Sequence, residues 1–200
     1  MKITSISHLR DVLLSDSQRY RMGGGKAVVK NLMIPGFRFS FILRICQYLK
    51  YRTGFLYLPF YMLLRHYKYK YGFEIHPSTH ISPGFYLGHF GGVVINQKAR
   101  IGFNVNISHG VTIGSNNRGT KCGYPKIGNN VWIGPGAKIV GRITVGNNVA
   151  IAPNAVVIND VPDNCCVGGI PARIISEKGA GAEYIQNPID IKEYEKGKQN

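Results

Sequence analysis

Acidic side chains are scarce in this chain of 200 residues: 10 Asp and Glu stand against 25 Lys and Arg, a formal charge of +15. Such an excess favours anionic partners, among them nucleic acid, acidic membrane surfaces, acidic glycans and phosphate-bearing cofactors. The repeat described below holds no nucleic-acid-binding motif, which sets the first of these aside. Cysteine is sparse as well. Cys46, Cys122, Cys165 and Cys166 include no Cys-x-x-Cys pair and no His at zinc-finger spacing, so no metal is expected and a reducing compartment is the default. Adjacent Cys165 and Cys166 read as packing residues. The amino-terminal stretch lacks the apolar core of a signal peptide and soon reaches Arg10 and Asp11, so a cytoplasmic location is expected. Long apolar runs are also missing. The longest uncharged run of the amino-terminal region, 53–64, is too short to cross a bilayer, and Pro59 interrupts it.

What is present is a beat of six. Ile75, Ile81, Leu87 and Val93 form a first series; after a two-residue shift Ile95, Ile101, Ile107 and Ile113 form a second. A break from Gly114 to Lys126 follows, and Ile127, Ile133, Ile139, Val145, Ile151 and Val157 complete the series. An amphipathic helix returns its apolar face every three to four residues and a half-buried strand alternates, so neither fits. A short strand plus a corner does, stacked as the sides of a triangular prism with each aliphatic side chain pointing inward. Gly follows the aliphatic residue at Gly102, Gly114, Gly128, Gly134 and Gly146, and the pairs Asn129-Asn130 and Asn147-Asn148 suit corners of left-handed geometry. These residues resemble the hexapeptide-repeat family. The resemblance implies a mainly β fold, a left-handed parallel β-helix, with a short α-helical region before it.

Residues 1–73 read as a basic, aromatic helical region, 74–176 as the β-helix with an extruded loop at 114–126, and 177–200 as a charged tail, mobile towards its end. Within the first region Ser7 to Arg21 reads as a helix, Gly23-Gly24-Gly25 as a loosening connection, and Phe37–Leu49 and Phe55–Tyr71 as two further helices. Two roles are open to the last two: covering the first coil of the prism, or lying on an acidic membrane with aromatics at headgroup depth. The repeat is expected to end at Val161-Pro162-Asp163-Asn164.

Histidine is well suited to take a proton from a hydroxyl near neutral pH, and the repeat contains His76, His80, His89 and His109. His89 lies two residues after Leu87 and His109 two after Ile107, and the phase shift turns their separation into one coil. The two imidazoles are therefore expected one above the other on one edge, about 5 Å apart. Glu74 is expected as a diagonal neighbour able to orient the His89 ring. His76 and His80 read as structural. No serine nucleophile with a His and an acid at recognisable spacing occurs.

More specifically, Glu74-Ile75-His76-Pro77, Leu87-Gly88-His89, Val111-Thr112-Ile113-Gly114, Pro125-Lys126-Ile127, Ile133-Gly134-Pro135-Gly136-Ala137-Lys138-Ile139 and Gly169-Ile170-Pro171-Ala172-Arg173 resemble the serine acetyltransferase branch of the hexapeptide acyltransferases. The resemblance spans residues 73–176 and does not extend to the helices before them. It implies acetyl-CoA as acyl donor, lying in a groove between two prisms of a homotrimer, with His89 as general base, Glu74 as its carboxylate where an Asp is usual, and contacts to the donor from Gly114, Ser115, Pro135, Pro153 and Arg173.

On the acceptor side this chain departs from that branch, which carries an Asp directly before the catalytic His and an Arg-His pair before the Pro-Lys-Ile motif. Here stand Gly88 and Gly123-Tyr124. An amino acid bound without those charges would leave its ammonium and carboxylate poorly compensated. Phe90, Tyr124 and Trp132 offer aromatic faces that suit a sugar ring, with Arg118 and Lys121 expected on a mobile loop closing over it. The expected acceptor is thus a sugar hydroxyl of a cell-surface glycan or its precursor, in the manner of the polysaccharide O-acetyltransferases. Free serine is the alternative, and a non-catalytic β-helical scaffold the second.

Overall fold

The computed structural model describes residues 2–20, 25–52 and 54–197. Gly23 and Gly24 of the expected connection lie outside the described residues. Four helices precede the β region: α1 (Ile6–Gln18), α2 (Gly25–Asn31), α3 (Pro35–Leu49) and α4 (Gly54–Tyr71). Ser5 caps α1, its Oγ accepting from the His8 N–H at 3.0 Å. Pro35 opens α3, where its preset φ suits the first helical turn and its missing N–H costs nothing. Pro59 is accommodated inside α4, which covers the helix expected over Phe55–Tyr71. It lies near the helix start, and the carbonyl it leaves without a donor belongs to Phe55, which faces solvent.

The β region is a left-handed parallel β-helix of five coils. Its first face stacks Phe73–Ile75, Val93–Ile95, Thr112–Gly114, Lys138–Val140 and Val156–Val157; its second stacks His80–Ile81, Arg100–Ile101, Lys126–Ile127 and Thr144–Val145. The third stacks Tyr86–Leu87, Asn106–Ile107, Trp132–Ile133, Ala150–Ile151 and Cys166–Gly169. Every aliphatic residue of the beat of six is buried, none more than 4% exposed, and all belong to one continuous core.

The corner glycines act differently from the expectation. Gly102, Gly128 and Gly146 are not in the left-handed region; a Cβ on Gly102 or Gly128 would lie 2.4 or 2.6 Å from the carbonyl oxygen of the glycine one coil above. They are small because coils touch there. The left-handed turn is made two residues later by Asn104, Asn130 and Asn148. The adjoining Asn side chains form a ladder: Asn129 Oδ1 accepts from Phe103 N at 2.9 Å, and Asn147 Oδ1 from Asn129 N at 2.8 Å.

The solenoid runs further than the sequence indicates. Val161 pairs with Val145, Cys166–Gly169 adds a strand to the third face, and Ala172–Ser176 folds back antiparallel on it. The tail is not free either, through residue 197. Ile185 and Ile189 are buried, and Asn104 exchanges hydrogen bonds of 3.0 Å with both the N–H and the carbonyl of Ile189. Burial against the third face, with backbone groups satisfied by prism asparagines, fixes the segment.

A parallel coil leaves backbone donors and acceptors unpaired on its lower rim, and buried groups of that kind need partners. The helices supply them with side chains. Arg44, fully buried in α3, donates to the carbonyls of Ile81 (2.7 Å) and Ser82 (2.9 Å) and pairs with equally buried Asp16 of α1 at 2.8 Å. Asp16 Oδ1 accepts from Phe85 N at 2.9 Å, the Tyr20 hydroxyl from Leu87 N at 2.9 Å, and Gln47 Nε2 donates to Thr79 O at 3.1 Å. Gly36 lets α3 approach the same rim, since a Cβ there would lie 2.1 Å from Leu87 O.

Candidate active site

The corner from the third face to the first carries the two histidines. Leu87 pairs with Ile107, Ile107 with Ile133 and Ile133 with Ile151, so His109, Pro135 and Pro153 form one column above the first-coil corner that carries His89. Both imidazoles are exposed, with centroids 5.9 Å apart and planes at 80°. The expected stack is thus an edge-to-face pair, because the first coil has two extra residues at this corner. Gly91, in place of His89, occupies the position below His109: its carbonyl accepts from Gly110 N at 2.8 Å, as that of His109 accepts from Gly136 N at 2.9 Å. His89 and Phe90 consequently bulge outward.

The bulge is held from beneath. Gly91 N donates to Tyr71 O at 2.9 Å and Val93 N to Gly72 O at 3.0 Å, which ties it to the end of α4. Phe90 lies 6.2 Å from the Tyr71 ring. Just before it, the Tyr20 hydroxyl accepts from Leu87 N and donates to Leu87 O at 3.4 Å, and burial raises the pKa of that phenol and keeps its proton in place. One coil up, Lys138 Nζ donates to Gly110 O at 2.5 Å and to Thr112 Oγ1 at 3.3 Å, pinning the turn that carries His109. Sequence reasoning gave neither Tyr20 nor Lys138 a role at the site: both act on backbone, and Lys138 stood in a motif read only for its resemblance.

The other expected residues are dispersed. Glu74 projects from the first face and pairs with Lys68 at 3.1 Å, not with His89; Lys68, in the last turn of α4, reaches its carboxylate. Glu74 lines a 540 Å³ cavity with Tyr61, Arg65, Tyr69 and His76. His76 Nδ1 accepts from Ser78 N at 3.0 Å, and burial, with Lys50 and Lys68, lowers its pKa. Burial also lowers that of His80 on the second face. Gly114, Ser115 and Tyr124 lie at the opposite corner of the first face; six residues from His109 to Ser115 span up to roughly 20 Å. The Tyr124 ring has the Lys98 ammonium 5.1 Å from its centroid.

Gly88 is half-buried, and a Cβ there would meet the Tyr86 ring at 3.1 Å. Trp132 belongs to the third face, where Tyr184 of the tail covers its ring at 4.5 Å. That contact packs it beneath the tail. Arg173 is exposed on the closing antiparallel strand. The loop is tied down: Lys121 Nζ donates to Ile158 O at 2.9 Å and Arg142 Nη2 to Thr120 O at 2.9 Å. Lys121 is therefore engaged on upper coils and does not close over the histidines. Among the described residues, no group of three or more His, Cys, Asp or Glu is placed to hold a metal ion.

The model of the bacterial transferase hexapeptide family (six repeats) matches residues 124–159. A serine acetyltransferase of Synechococcus elongatus is 38% identical over 157 residues, 78% of this chain and 63% of its own length; the chain thus spans less than two thirds of that relative. Among solved structures, the Neisseria gonorrhoeae serine acetyltransferase in complex with serine superposes with a TM-score of 0.70 at 32% identity, covering 86% of this chain and 71% of that one. The Brucella abortus enzyme in complex with coenzyme A gives a TM-score of 0.70 at 34% identity, with 86% and 68% covered. Repeat, corner histidines and superposition agree: the chain belongs to the hexapeptide-repeat acyltransferase family, in its serine acetyltransferase-like branch.

Proposed function

We propose that this protein is an acetyl-CoA-dependent O-acetyltransferase with His89 as general base. The observation that carries the reading is the pair of His89 and His109 at the foot of the exposed corner that Pro135 and Pro153 continue upward. A base at its foot and a length of solenoid above it suit an extended thioester. His89 accepts the acceptor's hydroxyl proton as the oxygen bonds to the acetyl carbon; the C–S bond then breaks, and the departing thiolate is protonated. A groove N–H near Gly114 would stabilise the oxyanion. Gly114 and Ser115 lie at the other corner of the same face, so one donor meets both sets only where two prisms lie side by side. A closed homotrimer provides that arrangement. Sedimentation should give a trimer, and a fully active monomer would refute the shared groove.

For the acceptor, serine is the first reading. The relatives described above are named for serine, one is solved with it, and their names lend no support to the polysaccharide character expected from the sequence. A second reading, a sugar hydroxyl, is favoured by Gly88 and by Gly123-Tyr124, where the branch pattern has charges for an amino acid. Thiol release from acetyl-CoA, measured with serine and with bacterial glycan fragments in competition, separates them. Each lost charge-assisted contact costs about 2 kcal/mol, so with both the ammonium and the carboxylate uncompensated serine should fail by roughly 10³-fold if the glycan reading holds. Efficient serine acetylation with no glycan transfer excludes it, and the absence of thiol release with every acceptor leaves only the scaffold.

A further inference from the structure

The helix α4 is apolar on two opposite sides. Its inward stripe, Tyr57, Phe60, Leu64 and Tyr67, packs on the core of α3 and the first coil. Its outward side carries Phe55, Leu58 and Met62, which are 90, 61 and 54% exposed, flanked by exposed Leu56 and Leu63. Charge begins only after Leu64, with Arg65, Lys68 and Lys70. An isolated exposed leucine needs no explanation; a contiguous run over three turns of one helix does.

We propose that the outward side of α4 docks on an anionic lipid bilayer, its first three turns entering the headgroup and acyl boundary and its last turns meeting the phosphates. Charge selects this occupant. Residues 1–73 hold 13 Lys and Arg against two Asp, and one of those, Asp16, is buried and paired with Arg44. Such a surface repels a second copy of itself and attracts acidic lipid, at long range and in a salt-dependent way. The order along the helix, apolar then basic, fits oblique entry from the end near Phe55. No helix among the described residues is long and apolar enough to cross a membrane, so the contact is peripheral. Docking does not depend on which acceptor is used.

Flotation with phosphatidylcholine vesicles, with and without about a third phosphatidylglycerol, tests this. The unaltered protein should float with the anionic vesicles, stay behind with the neutral ones, and be released by salt. Phe55→Asp combined with Leu58→Asp should weaken binding by about tenfold or more at an unchanged melting temperature. Milder Leu58→Ser with Met62→Ser should weaken it in the same direction, and Lys70→Glu should weaken it most at low salt. Failure of the unaltered protein to float, or flotation indifferent to these changes, overturns the proposal. So does a fall in oligomer size on Phe55→Asp without any vesicle binding, which would make the face a contact between copies.

Discussion

His89→Ala is expected to lower turnover by about 10²- to 10⁴-fold, the usual contribution of a positioned general base, with the melting temperature and coenzyme A affinity unchanged. The imidazole is exposed on the bulged corner, so its removal leaves neither a cavity nor a buried orphan. The loss should fall on kcat and on kcat/KM alike, because the proton moves only in the transition state. Glu74→Gln should cost far less. Its carboxylate meets Lys68 in an exposed ion pair, a contact worth about 0–1 kcal/mol. Two results would overturn the assignment. If His109→Ala is the more damaging, the upper ring of the pair is the base. If Glu74→Gln matches His89→Ala, the carboxylate acts directly on the base in the assembled enzyme.

Arg44→Ala is expected to destabilise the fold by about 3–5 kcal/mol, the range for breaking a buried ion pair by removing one partner. Urea or thermal unfolding would show it. Here the loss has two parts: an unpaired Asp16 carboxylate, and the carbonyls of Ile81 and Ser82 left without donors. Replacing both partners by apolar residues, Arg44→Met with Asp16→Leu, separates them. In many proteins such a swap is neutral or stabilising. In this one it should remain destabilising, because Phe85 N–H loses its acceptor as well. A double variant as stable as the native protein would mean that the rim has no need of these side chains.

How much of this could be read in the sequence follows from the range of each interaction. The beat of six is a local pattern repeated many times, and every position of it is in the core. That His89 and His109 meet at one corner was likewise legible by counting; the outward bulge of His89 was not, because Gly91 takes its place in the register. Trp132 was not: an aromatic at a strand's outward position looks alike whether it awaits a ligand or a cover, and only the folded-back tail, with Tyr184 on its ring, decides. Glu74 was read as a partner of His89 from strand geometry and from the family resemblance, and Lys68 is supplied by a helix that neither takes into account. Asp16, Tyr20, Arg44 and Gln47 bind the rim across 32 to 69 positions of sequence, through its backbone, which carries no residue identity to recognise.

That polar lid on the first coil bears on what the molecule does not become. The lower rim of a parallel solenoid is a template for the upper rim of another, and identical units meeting head to tail assemble into open-ended fibres. Asp16, Tyr20, Arg44 and Gln47 engage that template within the chain, and the antiparallel strand Ala172–Ser176 covers part of the other end. The helices thus set the length of the prism as well as its stability: they make it a terminated object, and a variant that sheds them would be expected to polymerise end to end before it unfolds.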